Sequence, residues 1–338
     1  MKYLNILDAP IEITGLAEKT GETFMRLPLS IHDKVNAGVT GLSKQTAGGC
    51  VRFATDSKNI DVKFTLKNPI TINNMATSGS SGVDIYIGGR FAKTVYSSDI
   101  NARELSGIAV PMPGLGDGVH TVECFLPLYN GITKMEIGID DDAEFHAPPK
   151  QKYKPVCFYG SSITQGGCAT KPGNSYNAFL ARMLDFPQIN LGFSGNGKGE
   201  QIVAEYITSL DLSVFVLDYD HNAPTLEHLK NTHKPFFDTV RRARPKLPII
   251  IMTKPDFDRS PAANAERREV IYQTYKAAKD GGDDNVYFID GETFFGPDTP
   301  ENDRLACTVD GCHPNDLGFY RMAMTIYPVL KEVLESEA

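Results

Sequence analysis

Residues 158–166 read FYGSSITQG, and this stretch decides the fold. It continues an apolar run from Val156 that is typical of a buried strand. Glycines on both sides of the two serines permit a sharp turn, and a helical pattern begins near Ser175. A strand, a turn and a helix in this order place a hydroxyl at a sheet edge, where backbone N–H groups can bind an oxyanion. A plain glycine-rich turn or a phosphate loop has the same local pattern, so the rest of the chain must supply a base and its partners.

The composition of the 338-residue chain is typical of a globular protein with a sizeable core, because 41% of its residues are apolar. The net charge is −8 without a basic cluster, which argues against a nucleic-acid partner or an anionic membrane surface. No apolar run approaches the roughly 20 residues of a membrane span. The N-terminus lacks the apolar segment of a signal peptide. The sequence as written therefore predicts a cytoplasmic protein, or a periplasmic or extracellular one if a signal segment was removed.

The cysteines argue against a zinc ribbon or a redox dithiol, because none of the six forms a CxxC pair. Cys157 lies within the apolar strand pattern and is expected to be a small core residue. Cys168, Cys307 and Cys312 lie near the motifs described below. The sequence leaves open whether each is a packed free thiol or a reactive thiol.

Residues 1–150 are predicted to form an all-β sandwich or jelly-roll domain. Apolar and polar positions alternate in four segments, which are 51–55, 60–66, 83–87 and 121–126. Turns are predicted at Asn73-Asn74 and Gly88-Gly89, and no helix of ordinary length is expected. Prolines in residues 148–155 favour an extended linker to a second domain.

Residues 151–338 are predicted to form a three-layer α/β/α domain of flavodoxin-like type. Short apolar strands are expected at 156–159, 189–193, 214–217, 249–252 and 286–289, and helices at 175–184, 198–209, 226–243, 262–280 and 315–335. Strands that are apolar throughout indicate a parallel sheet with both faces covered. In the last helix, helical spacing predicts a core face of Leu317, Tyr320, Met324, Tyr327 and Leu330.

Four polar stretches lie where a parallel sheet places its ligand sites, outside the carboxyl ends of strands or just before the last helix. They are 160–162, 192–197, 218–224 and 310–315. Together they resemble the four sequence blocks of the SGNH hydrolase superfamily, the GDSL-type esterases, over residues 150–338. Gly160-Ser161-Ser162-Ile163-Thr164 is similar to the first block, although Ser161 stands where Asp is usual.

The resemblance implies a role for each matching residue. Ser162 would be the nucleophile, and Asp310 and His313 match the Asp-x-x-His of the last block. Gly195 and Asn222 match the oxyanion-hole residues of the second and third blocks, so that the hole would comprise Ser162, Gly195 and Asn222. The third block departs from the usual Gly-x-Asn-Asp. These roles fit the chemistry, because a serine hydroxyl needs an imidazole base and a carboxylate that orients the imidazole.

The N-terminal half carries a second resemblance. Gly82-Val83-Asp84-Ile85-Tyr86 is similar to the Gly-x-Asp-Leu-Tyr motif of a β-domain that precedes certain bacterial GDSL-type hydrolases, and residues 47–57 fit the same domain. We expect this domain to shape the active site, with Arg26, Asn73 and Asn74 as candidate polar contacts. A purely structural module is the alternative.

The remaining polar residues predict neither a cofactor nor a functional metal. Asp218, Asp220 and His221 resemble a metal site, but carboxylate-rich loops are common at strand ends. His221 is expected to be a loop residue lining the cleft. His228 and His233 are expected to be solvated on a helix.

The predicted function is a serine esterase that hydrolyses short acyl esters, with acetyl esters of a carbohydrate or a similar polar compound as the leading class. The assignment of a small-molecule or oligosaccharide ester as substrate is inferred from the family resemblance. A lysophospholipase or thioesterase-like acylhydrolase is the alternative enzyme. A carbohydrate-binding protein with a vestigial hydrolase domain is the alternative from another class.

Overall fold

The computed structural model describes residues 1–71, 74–299 and 301–336. Before residue 150 the elements are mainly short strands, with two short helices, α1 (Ala37–Ser43) and α2 (Thr77–Ser81). The strands are β1 (Lys2–Asn5), β2 (Glu12–Thr14), β3 (Glu18–Thr20), β4 (Thr23–Met25), β5 (Cys50–Thr55), β6 (Ile60–Leu66), β7 (Val83–Ile87), β8 (Arg90–Val95), β9 (Glu104–Ala109), β10 (His120–Phe125), β11 (Ile132–Ile139) and β12 (Phe145–His146). The four alternating segments are therefore strands, and Gly88-Gly89 turns between β7 and β8. Asn73 of the other predicted turn lies outside the described residues.

These strands form a β-sandwich, as the alternation predicts. One antiparallel sheet has the order β1-β11-β6-β9, and the other has the order β12-β5-β10-β7-β8 with β2 beside β5. Alternate side chains face inward, so Val51 and Phe53 of β5 share one buried cluster with Val62 and Phe64 of β6. The opposite faces carry the polar positions of the same strands.

The second half of the chain alternates strands and helices around a parallel sheet. Its strands are β13 (Val156–Gly160), β14 (Gln188–Gly192), β15 (Val214–Asp218), β16 (Ile249–Met252) and β17 (Val286–Ile289). Its helices are α3 (Ser162–Gln165), α4 (Tyr176–Leu184), α5 (Gln201–Thr208), α6 (Leu226–Ala243), α7 (Pro261–Asp280) and α8 (Asp316–Ser336). The sheet order β14-β13-β15-β16-β17 is the flavodoxin-like order.

Successive residues of β13 face the two helical layers. Phe158 packs in one core cluster with Tyr176 of α4 and Phe319 of α8. Tyr159 packs in another with Phe236 of α6, where the two rings stack at 4.6 Å. The three-layer α/β/α prediction is therefore confirmed, and it explains why the strands are apolar on both faces.

The predicted core face of α8 is wrong. Leu317, Tyr320 and Met324 are 47%, 45% and 43% exposed, and Leu330 is the one member of the predicted face that is fully buried. The core stripe is Phe319, Met322, Ala323, Ile326, Leu330, Val333 and Leu334. These residues recur at helical spacing and form a more regular apolar stripe than the predicted one. Gly318 lies beside this stripe and allows a close approach, because a Cβ there would lie 2.2 Å from the carbonyl oxygen of Cys307.

Arg26 joins the two halves of the molecule. Its side chain is 1% exposed and donates hydrogen bonds to the carbonyl oxygens of Gln45, Leu42, Asn190 and Gly192. The last two acceptors belong to β14. Burial lowers the pKa of Arg26 to about 9, so the guanidinium stays charged at neutral pH. The charge is solvated by carbonyl dipoles in place of water, which is the condition under which a buried cation is tolerated.

We predict that Arg26→Ala destabilises the whole chain by about 3 kcal/mol or more, because it leaves several buried carbonyl oxygens without a donor. Urea unfolding of the full chain measures this loss. Arg90→Ala is the control, since Arg90 is exposed and its loss should change the unfolding free energy by about 0.5 kcal/mol at most. Equal stabilities for the two variants would contradict a joining role for Arg26.

Candidate active site

The site lies where three neighbouring strands end together. In the parallel register, Gly160 of β13 is aligned with Gly192 of β14 on one side and Asp218 of β15 on the other. Glycine is required at position 160, because a Cβ there would lie 2.0 Å from Thr164 Oγ1 and 2.3 Å from the carbonyl oxygen of Asp218. The close approach lets the chain turn directly from β13 into α3.

The turn after Gly160 orients its two serines differently. Ser161 is the N-cap of α3, and its hydroxyl accepts a hydrogen bond from Ile163 N–H at 3.1 Å. Ser162 is the first residue of the helix, where a backbone N–H has no intrahelical partner. Its side chain is mostly buried, and its Oγ is directed away from the helix toward His313. Ser161 therefore supplies the N-cap of α3, whereas Ser162 presents its hydroxyl to His313.

Ser162, His313 and Asp310 lie in hydrogen-bond contact. Ser162 Oγ is 2.9 Å from His313 Nε2, and His313 Nδ1 is 2.8 Å from Asp310 Oδ2. The other oxygen of Asp310 accepts the backbone N–H groups of Cys312 and His313. Partial burial alone would raise the pKa of Asp310, but these bonds with His313 and Cys312 lower it below the usual value. The carboxylate is thus ionised and fixed, with one oxygen on the loop backbone and one on the imidazole.

One carbonyl attaches Asn222 to the turn that contains Gly195. The Phe193 carbonyl oxygen accepts hydrogen bonds from the N–H groups of Asn196 and Gly197 and from Asn222 Nδ2, the last at 2.8 Å. This leaves the second N–H of the Asn222 amide for another acceptor. Gly195 sits at the exposed tip of the same turn with φ +67°, and the space that its Cβ would occupy is open. Among the described residues, neither Ser162 N–H nor Gly195 N–H donates to a protein acceptor.

A buried hydrogen-bond network lies beneath the turn that contains Ser161 and Ser162, and the sequence alone does not predict it. Thr164 Oγ1 accepts the N–H of Ser161 at 3.2 Å and donates to Asp218 Oδ2 at 3.0 Å. Tyr176 OH donates to the same oxygen at 3.1 Å. Burial, and next the neighbouring Asp220, raise the pKa of Asp218 to about 7. The sequence signal is a carboxylate at the end of an apolar strand, in the stretch 218–224, and nothing local to it indicates a contact with Thr164.

The metal-like trio Asp218, Asp220 and His221 does not converge. Asp218 points to Thr164, whereas His221 contacts Asp256 and Cys312. His221 is mostly buried, with a side chain 11% exposed.

The expectation of a solvated His233 is wrong. Its side chain is 1% exposed and bonds to Thr274 Oγ1 at 2.9 Å. Its ring also stacks on Tyr219. His228 is partly exposed and contacts the carbonyl oxygen of Lys198 at 2.8 Å.

The β-sandwich contacts the turn and the short helix that contain Ser162. Tyr129 OH donates to the carbonyl oxygen of Ser162 at 3.1 Å, and Gln165 Nε2 donates to the carbonyl oxygen of Leu128 at 3.0 Å. Farther along, Asp84 of the Gly-x-Asp motif accepts Gly173 N–H at 2.8 Å. Of the polar contacts expected toward substrate, Arg26 is buried and Asn74 is exposed.

Comparison with known proteins defines this chain as an ester hydrolase. A family model described as "GDSL-like Lipase/Acylhydrolase family" matches residues 153–331, more than half of the chain, and the chain belongs to that family. A second model, described as the "N-terminus of Esterase_SGNH_hydro-type", matches residues 1–145. Both resemblances inferred from the motifs are confirmed. The comparison with curated proteins gives no match.

Three solved structures illustrate the fold. A candidate GDSL-like lipase from Bacteroides ovatus ATCC 8483 is 29% identical, with a TM-score of 0.85 over 99% of this chain and 98% of that one. The salicylyl-acyltransferase SsfX3 from a tetracycline biosynthetic pathway is 20% identical, with a TM-score of 0.78 over 98% and 97%. An acetyl xylan esterase, Est2A, from the rumen bacterium Butyrivibrio proteoclasticus is 14% identical, with a TM-score of 0.61 over 99% and 100%. All three share the fold of this chain over nearly its whole length.

No helix in the described ranges is long and apolar enough to span a bilayer.

We predict that Thr164→Val lowers kcat for p-nitrophenyl acetate by about 100-fold with little change in KM. The isosteric change removes the oxygen that holds Ser161 N–H and the donor to Asp218, so the turn is misplaced while the substrate surface is kept. Thr164→Ser is the matched control and should keep most of kcat, because it keeps the hydroxyl. If valine and serine at this position gave the same kcat, the network would have no positioning role.

Proposed function

We propose that Ser162, His313 and Asp310 form the catalytic triad of a serine esterase. The contact that supports this is the 2.9 Å approach of Ser162 Oγ to His313 Nε2, with Asp310 on the opposite nitrogen. In this arrangement the His313 imidazole accepts the proton of Ser162 as Ser162 Oγ attacks the ester carbonyl. The imidazole then donates this proton to the leaving alcohol. Asp310 holds the tautomer and stabilises the imidazolium. Water activated by His313 then releases the acyl group from Ser162.

We assign the oxyanion hole to Ser162 N–H, Gly195 N–H and the free N–H of the Asn222 amide. The first is a helix N-terminal donor, and the other two are fixed by the turn around Phe193. Donors of this kind each contribute about 3–4 kcal/mol to transition-state stabilisation. This scheme needs neither a metal nor a cofactor for hydrolysis.

The proposed substrate is a short acyl ester, with acetyl as the leading case, of a carbohydrate or a similar polar alcohol. Support for a short acyl group comes from the sequence, where no long apolar segment that could cover an extended acyl chain flanks Ser162. The fold shared with an acetyl xylan esterase points to the same class. Family membership and the intact hydrogen-bond chain count against a vestigial hydrolase that only binds carbohydrate.

We further propose that residues 1–150 and 151–338 are the two domains, and that the first shapes the active site indirectly. The supporting contact is Tyr129, which holds the carbonyl oxygen of the proposed nucleophile. The Asp84 bond to Gly173 fastens the segment before α4 to the sandwich. The β-sandwich thus acts on the site through the nucleophile turn.

We predict that Ser162→Ala lowers kcat by at least about 10⁴-fold, whereas Ser161→Ala keeps a substantial part of the activity. The first variant removes the oxygen that contacts His313. The second removes a helix cap, which costs about 1 kcal/mol of stability. Fluorophosphonate labelling followed by peptide mapping checks the assignment, and a label on Ser161 would show that the proposed nucleophile is wrong by one residue.

We predict a higher kcat/KM for p-nitrophenyl acetate than for the octanoate ester, because no long apolar segment flanks Ser162 that could cover an extended acyl chain. Release of acetate from a panel of acetylated oligosaccharides then identifies the alcohol. Preference for octanoate would favour the lysophospholipase or thioesterase-like alternative. Ser162→Ala in the same assays gives the background rate.

A further inference from the structure

Gln165 is the last residue of α3, the short helix that begins at Ser162. Its side chain is fully buried, and both ends of its amide have protein partners. Gln165 Oε1 accepts the backbone N–H of Ser194 at 3.0 Å. Gln165 Nε2 donates to the carbonyl oxygen of Leu128 at 3.0 Å and to Gln45 Oε1. These partners allow one orientation of the amide, because the Ser194 N–H can only donate and the Leu128 carbonyl can only accept.

The partners of the Gln165 amide come from separate parts of the chain. Ser194 lies in the turn that follows β14, whereas Gln45 and Leu128 lie in the half of the chain that forms the β-sandwich. The amide therefore connects the helix of Ser162, the turn after β14 and the β-sandwich at one buried point. Leaving a buried polar group unpaired is costly, so these three elements keep one relative placement.

The turn after β14 is fixed at its first two residues. Phe193 N–H donates to the carbonyl oxygen of Gly160, at the end of β13, at 3.0 Å. Ser194 N–H donates to Gln165 Oε1, and Gly195 follows directly in the chain. The position of the Gly195 backbone is thus set by one bond to a strand end and one bond to a buried side chain.

We propose that Gln165 is a positioning residue that sets the distance between two donors of the oxyanion hole, Ser162 N–H and Gly195 N–H. This inference rests on the oxyanion hole proposed above. One donor lies at the start of α3, and the other follows Ser194, which the Gln165 amide holds. Oxyanion donors act on the developing charge at about 2.7–3.1 Å, so a small shift of the turn weakens transition-state binding more than substrate binding.

The test starts with Gln165→Met in the full chain, which keeps the size of the side chain but removes the acceptor of Ser194 N–H and both donors. We expect kcat for p-nitrophenyl acetate to fall by about 30-fold while KM changes by less than about threefold, because the turn shifts without loss of substrate surface. A trifluoromethyl ketone that forms a hemiketal with Ser162 probes oxyanion binding. Its Ki should rise by about the same factor as kcat/KM falls.

Gln45→Met is the matched control, because it removes one acceptor of the same amide and leaves the bond to Ser194 in place. It should lower Tm and keep kcat within about threefold of the wild-type value. Equal losses of kcat in Gln45→Met and Gln165→Met, measured below both Tm values, would show that general destabilisation explains the effect and would overturn the proposal. Wild-type kcat and ketone affinity in Gln165→Met would overturn it as well.

Gln165→Glu replaces Gln165→Met if the latter does not fold. A carboxylate keeps an acceptor for Ser194 N–H but has no donor for Leu128 and Gln45, so we expect kcat to fall by about tenfold, and an unchanged kcat would contradict the proposal.

Ser162→Ala separates this inference from the proposed function. Activity retained in Ser162→Ala would refute the esterase assignment itself. An inactive Ser162→Ala beside a fully active Gln165→Met would refute only the positioning role of Gln165.

Discussion

The close approach of three strand ends at Gly160 is the constraint on which the rest of the site depends. With β14 and β15 aligned on either side, the chain has room to turn only because position 160 lacks a side chain. The turn then sets the start of α3, and with it the first free N–H of the helix. The backbone turn at Gly160 thus sets the positions of both the hydroxyl and the backbone N–H of Ser162.

Buried polar contacts keep that turn in place from two sides. Beneath it, Thr164 connects Ser161 N–H to Asp218 inside the α/β layers. Behind it, Tyr129 of the β-sandwich holds the carbonyl oxygen of Ser162. Such groups are costly to bury without partners, so each satisfied bond also selects one geometry of the turn. Both halves of the chain thus hold the turn that contains Ser162.

The loop that carries Asp310 and His313 is held differently. It is partly exposed. Within it, the N–H groups of Cys312 and His313 donate to Asp310 Oδ1, and Arg259 Nη1 donates to the Asp310 carbonyl oxygen. The site therefore combines a turn held by buried polar contacts with a partly exposed loop that carries Asp310 and His313. The His221 and Cys312 contact is another link between this loop and the sheet edge.

The sequence by itself determined the two-layer β-half, the order of strands and helices after residue 150, and the identities of Ser162, Asp310 and His313 as residues that meet. Periodicity and turn chemistry are local, and parallel strands bring their carboxyl ends to one edge whatever the details of packing. Only the tertiary structure distinguished between two apolar stripes of α8 and showed that Gly318 lies against the Cys307 backbone. The tertiary structure also revealed Asp218 beneath the turn, His233 in the core and Arg26 between the halves. Their partners are distant in sequence, so burial and pairing of these polar groups leave no periodic signal in the chain.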